Sequence, residues 1–388
     1  MDEASFDEPT GRLLERISPS GQHYHAFFPD PLPPPSENEA IVPSLKLLAD
    51  ANHALGQLDQ VGQMLPDPDL LVRPYIRREA VLSSRIEGTK ASFADLVAYE
   101  AGDLPGPDGD TREVYNYVDA LNHGLRTIEA SGITPDLVRQ LHRQLLSGVR
   151  GERFGTPGEF RTIQNHIGGG QDVTQASFVP PPPSELPQAL NDLFAYIDRP
   201  DSTTPILVEL AWVHYQFETI HPFIDGNGRV GRLLIPLMLA HRRKLSHPLL
   251  YLSPFFEAHR SEYYDLLFAV SARGRWEQWL RFFLEAVNTQ AGEGVALARD
   301  ALALFQDWQQ RLLQDSAPAN ATRTMDLVKY HLVVDPKMVE TRLGVSTQTA
   351  YNQLRTLERL GIISELPVRR HGRAYIAHEL LNLVSAGS

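Results

Sequence analysis

The residue types that phosphate chemistry needs are gathered in one stretch: His221-Pro222-Phe223-Ile224-Asp225-Gly226-Asn227-Gly228-Arg229-Val230-Gly231-Arg232. His221 can act as a base, since an unperturbed imidazole is largely neutral near pH 7. Asp225 can hold a hard metal ion, Gly226 and Gly228 allow a tight turn, and Arg229 and Arg232 can both reach one polyanion. Taken singly each feature is ordinary. A lone histidine near a loop is more often structural, and two arginines at i and i+3 more often form a solvated face. Asp-Gly-Asn-Gly alone suggests a turn or a calcium loop, but the further acidic ligands of an EF-hand are missing. The conjunction points to an enzyme.

The flanking elements explain how these groups converge. Residues 204–220 carry Ile206, Leu210, Val213 and Phe217 at helical spacing, with Pro205 in the first turn. Residues 229–243 read as a second, mostly buried helix with Leu233, Leu234, Leu237 and Leu239. The stretch is therefore a loop between two helices, ending at the N-terminus of the second. The free N–H groups of residues 227–230 are expected to point at one spot and form an anion site. His214 and Glu218, in the preceding helix, read as structural polar groups.

This stretch resembles the signature of the Fic family, His-x-Phe-x-Asp/Glu-Gly-Asn-Gly-Arg-x-x-Arg, and every defined position is matched. The resemblance implies transfer of AMP from ATP to a protein hydroxyl. It makes His221 the catalytic base and Asp225 the Mg²⁺ ligand. It assigns the α-phosphate to Asn227 and the backbone of residues 226–228, the β-phosphate to Arg229 and the γ-phosphate to Arg232. Phe223 is expected to be buried as an anchor. The nucleotide-binding set is then Glu87, His221, Gly226, Asn227, Gly228, Arg229, Val230, Gly231 and Arg232. Tyr264, among aromatics at helical spacing, joins it at the adenine pocket.

Upstream, a helix over 70–86 ends in Ser83-Ser84-Arg85-Ile86-Glu87-Gly88. Gly88 suits the position after a helix end, and a carboxylate there is opposed by the helix dipole and needs a cation. Ser83-x-x-x-Glu87-Gly88 resembles the family's inhibitory motif, in which the glutamate pairs with the second signature arginine, here Arg232. The resemblance implies self-inhibition within one chain. The residues alone are also consistent with a solvated helix-end acid.

Composition sets bounds. The chain has 388 residues, 42% hydrophobic, with a formal net charge of -12 and no cysteine. It can bury a large core in two or three domains. The charge disfavours a general nucleic-acid binder. No disulfide, thiolate metal site or cysteine nucleophile exists. Residues 1–9 are acidic without an apolar run, and residues 233–240, the longest such run, are too short to span a bilayer. A cytoplasmic location and no membrane partner are expected.

In chain order, residues 1 to 40 read as irregular, with an extended proline tract at 31–35. Helices are expected at 41–60, 111–131, 134–147 and 186–199, those at 111 and 134 opened by threonine caps. Residues 102–109, rich in Gly, Pro and Asp, read as a boundary. Residues 160–169 suggest a short hairpin. It resembles the family's flap, with Ile163, Gln164, Asn165, His166 and Ile167 clamping the target by strand addition. An ordinary connecting hairpin is the equal alternative. Residues 249–267 and 276–313 read as helical.

From residue 322 the character changes. Residues 341–346 fit a helix end, a turn at Gly344 and a helix capped by Ser346, with Ala350, Leu354, Leu357 and Leu360 as its buried stripe. Residues 361–363 and 373–376 read as strands around Arg369-Arg370-His371-Gly372. This resembles a winged helix-turn-helix. Nine Lys/Arg face six Asp/Glu from residue 323 on. That leaves DNA contact open beside a docking or dimerising role.

The expected fold is mainly α: a Fic-type helical core with a β-hairpin flap, plus the C-terminal module. The expected divisions are an N-terminal associated region at 1–105, a catalytic core at 106–285, a helical linker at 286–320 and the winged helix-turn-helix at 321–388. The expected function is an autoinhibited protein adenylyltransferase using ATP and Mg²⁺ on Tyr, Thr or Ser hydroxyls. Its targets are an unidentified protein and itself, with removal of AMP as an added activity. The alternative is a DNA-binding regulator whose Fic-like domain senses nucleotide. A homodimer is also consistent.

Overall fold

The computed structural model describes residues 3–18, 20–65, 67–100, 109–170, 172–199, 203–366 and 373–385. The chain opens with an antiparallel hairpin, β1 (Gly11–Ile17) and β2 (His23–Pro29), registered from Gly11 opposite Pro29 to Ile17 opposite His23. This corrects the expectation of irregular structure before residue 40. Alternation does not show in β2 because Ala26, Phe27 and Phe28 are all buried. Gly21, at φ +81°, closes the turn, and Ser18 N–H donates to the Gln22 carbonyl at 2.8 Å.

Helices follow. α1 (Glu37–Met64) and α2 (Asp69–Ile86) precede α3 (Phe93–Glu100), α4 (Gly109–Ser131) and α5 (Pro135–Leu146). Thr134 caps α5 by accepting the Leu137 N–H at 3.2 Å. Thr111 is no cap: it lies inside α4 and is buried. The boundary expected at 102–109 lies outside the described residues except for Gly109.

Next come α6 (Leu186–Ile197), α7 (Ile206–Ile220) and α8 (Asn227–His241), the last two holding the signature loop between them. Trp212, Tyr215 and Phe217 of α7 and Leu233 and Leu237 of α8 are fully enclosed. Both helices are buried on almost every side, so their ends are fixed by packing. The helical run expected at 249–267 is two helices, α9 (Ser253–Ala258) and α10 (Arg260–Arg273), interrupted at His259. α11 (Trp276–Gln314) runs unbroken through the expected linker and packs along α1. Trp279 Nε1–H donates to the Ala211 carbonyl of α7 at 2.8 Å, tying this long helix to the centre.

The C-terminal part comprises α12 (Ala319–His331), β3 (Val333–Val334), α13 (Pro336–Leu343), α14 (Thr347–Arg359), β4 (Ser364–Glu365), β5 (Tyr375–Ile376) and α15 (His378–Ser385). The sheet order is β3-β5-β4, antiparallel throughout. β3 was too short to be read from the sequence. Gly344 ends α13 at φ +64°, and Ser346 caps α14 by accepting the Thr349 N–H at 3.2 Å, as expected. Of the basic tract at 369–372 nothing is described. The module sits on α2 and α11. Arg73 lies 5.3 Å above the Tyr330 ring, and Arg311 pairs with Glu379 at 2.9 Å. Among the described residues no helix is long and apolar enough to cross a membrane.

Candidate active site

α7 ends where the chemistry begins. His221 closes the helix in the left-handed region, at φ 50° and ψ 60°. Such a conformation is costly for a residue with a side chain, so its surroundings must hold it. They do. Arg161 Nε–H donates to the His221 carbonyl at 2.9 Å, and Asn165 Nδ2 donates to the carbonyls of His221 (3.2 Å) and Phe223 (2.7 Å). His221 Nδ1 lies 3.1 Å from the Glu218 carbonyl. A carbonyl only accepts, so Nδ1 carries the proton and the Nε2 lone pair is left for a substrate. Burial pushes the imidazole pKa down to about 4, so the ring is neutral at physiological pH.

Phe223 is fully buried, as an anchor should be. The His142 ring stacks on it at 3.7 Å, within 8° of parallel. His142 Nδ1 accepts the Gly158 N–H at 2.8 Å, so its Nε2–H donates to the Asp225 carbonyl at 2.9 Å. Burial lowers this imidazole too, to about 4.

The turn then presents the open N–H donors expected to face an anion, with two corrections. Gly226 stands at φ +82° before α8. The Val230 N–H is already bonded to the Gly226 carbonyl at 3.1 Å, so it is not a free donor. The open N–H groups are those of Asn227, Gly228 and Arg229, the first turn of α8. The Asn227 side chain is committed as well. It accepts the Phe223 N–H at 2.8 Å and donates to the Phe223 carbonyl at 2.9 Å. It staples the loop and leaves only the Asn227 backbone N–H for an anion.

Glu87 lies against this turn. The carboxylate lies so close to Gly228 that a Cβ there would overlap it. Glu87 follows α2, with Gly88 behind it at φ +94°, as expected. Arg232 donates to Glu87 Oε1 at 2.6 Å, to Ser83 Oγ at 2.9 Å and to the Ser83 carbonyl at 3.0 Å. Burial alone would raise the Glu87 carboxyl, but the Arg232 guanidinium outweighs it and holds the group below its usual range. Arg232 is itself held charged: burial works against the charge, and Glu87 more than offsets that.

Arg229 has partners the sequence did not suggest. It pairs with Glu113 of α4 at 3.2 Å and lies 3.7 Å from Asp225. Arg150 reaches the other Glu113 oxygen at 3.0 Å. Asp225 accepts the Gly226 N–H at 2.6 Å and keeps its side chain 52% exposed. One exposed carboxylate beside a turn of open N–H groups fits a Mg²⁺ ion that would take its other ligands from a bound phosphate and water. Among the described residues no cluster of three His, Asp or Glu offers a protein-only metal cage.

The 160–169 segment is not the expected ladder. It pairs through a single bridge, Ile167 with Phe178, because Arg161 and Asn165 turn inward to the signature loop instead of pairing across a hairpin. Gln164 Nε2 donates to the Pro180 carbonyl at 3.0 Å, and His166 Nε2 to that of Gly170 at 3.0 Å. Ile163 projects outward, 64% exposed. Tyr264 stands partly exposed beside Tyr263, and burial pushes its phenol up to about 12.

Residues 45–126 match the Fic/DOC family N-terminal region, and residues 132–239 match the Fic/DOC family. The chain thus carries a Fic N-terminal region followed by a Fic domain. It is 29% identical over 188 residues to the protein adenylyltransferase Fic of Aedes aegypti, a match covering 47% of this chain and 34% of that one. With the Drosophila yakuba protein of the same description the identity is 33% over 138 residues, covering 34% of this chain and 26% of that one. The match therefore spans about a third or less of those relatives. The fold is similar to that of a Fic family protein from Desulfovibrio desulfuricans, with a TM-score of 0.54 and 19% identity over 86% of this chain and 95% of that one. Fic-1 of C. elegans gives a TM-score of 0.53 at 22% identity over 70% of this chain and 79% of that one.

Around this Fic domain's signature loop, the sequence carries no sign of Glu113, His142 and Arg161. They come from α4, α5 and the segment before α6, each far from the signature in sequence. No local pattern marks them. His214 is structural, as expected: it accepts from the Tyr263 hydroxyl and donates to the Gly231 carbonyl.

Proposed function

We propose that this protein is an autoinhibited protein adenylyltransferase. The observation that carries the reading is the Glu87–Arg232 pair on the turn at Gly228, beside a neutral His221. In the reaction, a target hydroxyl oxygen attacks the α-phosphorus of ATP, the bond to the β-phosphate oxygen breaks and pyrophosphate leaves. The hydroxyl proton passes to His221 Nε2. The N–H groups of residues 227–229 stabilise the α-phosphoryl charge, and Arg229 and Arg232 neutralise the leaving pyrophosphate. Asp225 would hold Mg²⁺, which would supply further charge neutralisation on the phosphates. Glu87 excludes the γ-phosphate while it holds Arg232. The segment at 163–167 positions the target Tyr, Thr or Ser, including hydroxyls of the chain itself. With Glu87 in place the same site can orient a water to remove AMP. A cytoplasmic location accords with this substrate.

A second reading concerns α14. Gln348, Asn352 and Arg355 line its exposed face, at i, i+4 and i+7, and are side chains suited to base edges. On this reading the C-terminal module binds DNA, and salt-dependent binding lost on Arg355→Ala tests it.

The test of the enzyme is label transfer from ATP labelled at the α-phosphate, with MgATP and wild-type, Glu87→Gly and His221→Ala proteins. Label on Glu87→Gly, little on wild-type and none on His221→Ala is expected. Absence of label from Glu87→Gly, with itself and with a lysate as target, overturns the reading.

A further inference from the structure

Two complementary buried atoms next to the Glu87–Arg232 pair have no hydrogen-bond partner among the described residues. One is Arg232 NH1, the nitrogen that takes no part in the bonds to Ser83 and Glu87. The other is Oε1 of Glu218, in the last turn of α7. Glu218 keeps slight exposure as a residue, but this oxygen has none. It lies against Gly231, so close that a Cβ at 231 would overlap it. The glycine immediately before Arg232 thus makes room for a carboxyl. Leaving such an oxygen buried and unbonded costs free energy, and that cost calls for an explanation.

We infer that Glu218 is a positioning residue for Arg232, an acidic partner in reserve that takes the guanidinium when Glu87 leaves and releases it to the nucleotide by taking up a proton. The inference rests on the reading of Arg232 as the terminal-phosphate ligand.

In the resting state Glu87 already neutralises Arg232, so a second carboxylate would be in excess. Burial raises the Glu218 pKa to about 8, with the Glu87 charge adding to the rise and Arg232 opposing it. Glu218 is therefore protonated at neutral pH while Glu87 is present. Removing Glu87 removes the like charge and leaves Arg232 unpaired, and both changes favour ionised Glu218. Arrival of a phosphate restores the negative neighbour and drives the proton back on. Nucleotide binding is thereby linked to proton uptake at one carboxyl.

The other groups facing this spot do not titrate in the same range. From α7, His221 is lowered to about 4. From the end of α2, Glu87 lies below the ordinary carboxylate range. From α10, Tyr264 is pushed up to about 12 and Tyr263 is well above its usual value, both by burial. From α8, Arg232 stays charged. Between pH 6 and 9 Glu218 titrates alone among them.

The experiment is calorimetric titration of MgATP into full-length Glu87→Gly and Glu87→Gly/Glu218→Gln, at pH 6 to 9, in buffers of different ionisation enthalpy. For Glu87→Gly, Kd is expected to weaken with rising pH relative to the double variant, by at most about tenfold per pH unit, with matching excess proton uptake. The double variant should bind more tightly at pH 8–9 and show no such excess. ATP's own protonation is common to both and cancels. Identical pH dependence and proton uptake in the two proteins, both melting as wild type does, overturns the inference. Glu218→Asp, which withdraws the carboxyl by one methylene, should give an intermediate slope and guards against misfolding of the glutamine variant. Failure of Glu87→Gly to bind MgATP at all overturns instead the reading of Arg232 as a phosphate ligand.

Discussion

The Glu87 carboxylate lies against Gly228, where a Cβ would overlap it, and pairs with Arg232 at 2.6 Å. One side chain thus lies against the turn at Gly228 and neutralises the buried Arg232 cation. Glycine at 228 admits the glutamate, and on the proposed function it would leave room for a phosphate when the glutamate departs.

Ser83 holds the same guanidinium through its hydroxyl and its carbonyl. Ser83→Ala removes one net hydrogen bond, about 1 kcal/mol, and should loosen Arg232 only slightly. Initial rates of self-labelling should rise by at most about fivefold in Ser83→Ala and by more than about tenfold in Glu87→Gly. Equal gains would show that the hydroxyl, not the carboxylate, is the restraint.

The pH dependence of transfer reports on His221. A base must be deprotonated, and burial sets its pKa at about 4. For Glu87→Gly, the acid limb of the rate profile should fall as pH drops towards about 4, rather than near 6.5. A midpoint near 6.5 would mean that the ring is solvated when it works.

Glu113 is the counter-ion of Arg229, whose side chain is 4% exposed. Glu113→Ala leaves a buried cation unpaired and should cost about 3 kcal/mol. Denaturant unfolding should show the loss, and Glu113→Gln should recover part of it. No change in stability would mean that Asp225 alone suffices.

His142, His214 and His221 are lowered by burial to about 4, 3 and 4. The unfolded chain binds these protons first, so stability present above about pH 6.5 is lost as pH falls through that value towards 4. His142→Gln should flatten this acid limb in a melting series, though the missing ring stack lowers stability throughout. An unaltered slope would assign the acid sensitivity elsewhere.

Glu218 has the opposite sign. Its folded pKa, raised to about 8, means that the folded state holds the proton longer, and stability falls as pH rises from about 4.5 towards 8. Glu218→Gln should raise Tm at pH 8 and leave it nearly unchanged at pH 4. A lower Tm at pH 8 would show that the ionised carboxylate is stabilising.

The sequence by itself determined the signature loop, the helices on either side of it, the capping of α5 and α14, and Gly88 behind Glu87. These are local: helical period, cap chemistry and left-handed turns act within a few residues and leave a readable spacing. It also placed Glu87 and Arg232 in one site, through the resemblance of two separated motifs. Tertiary structure alone decided who else meets there. Glu113 from α4 and His142 from α5 reach the loop because α4, α5 and α8 pack together, and no spacing encodes that. The β1–β2 hairpin escaped notice because one strand buries three consecutive residues. Asn227 changed roles because its amide finds both partners on Phe223, which the turn geometry brings within reach. Glu218 read as an ordinary helix polar residue; only the packing of α7 against Gly231 turns its carboxyl towards Arg232's neighbourhood and leaves Oε1 without a bond among the described residues.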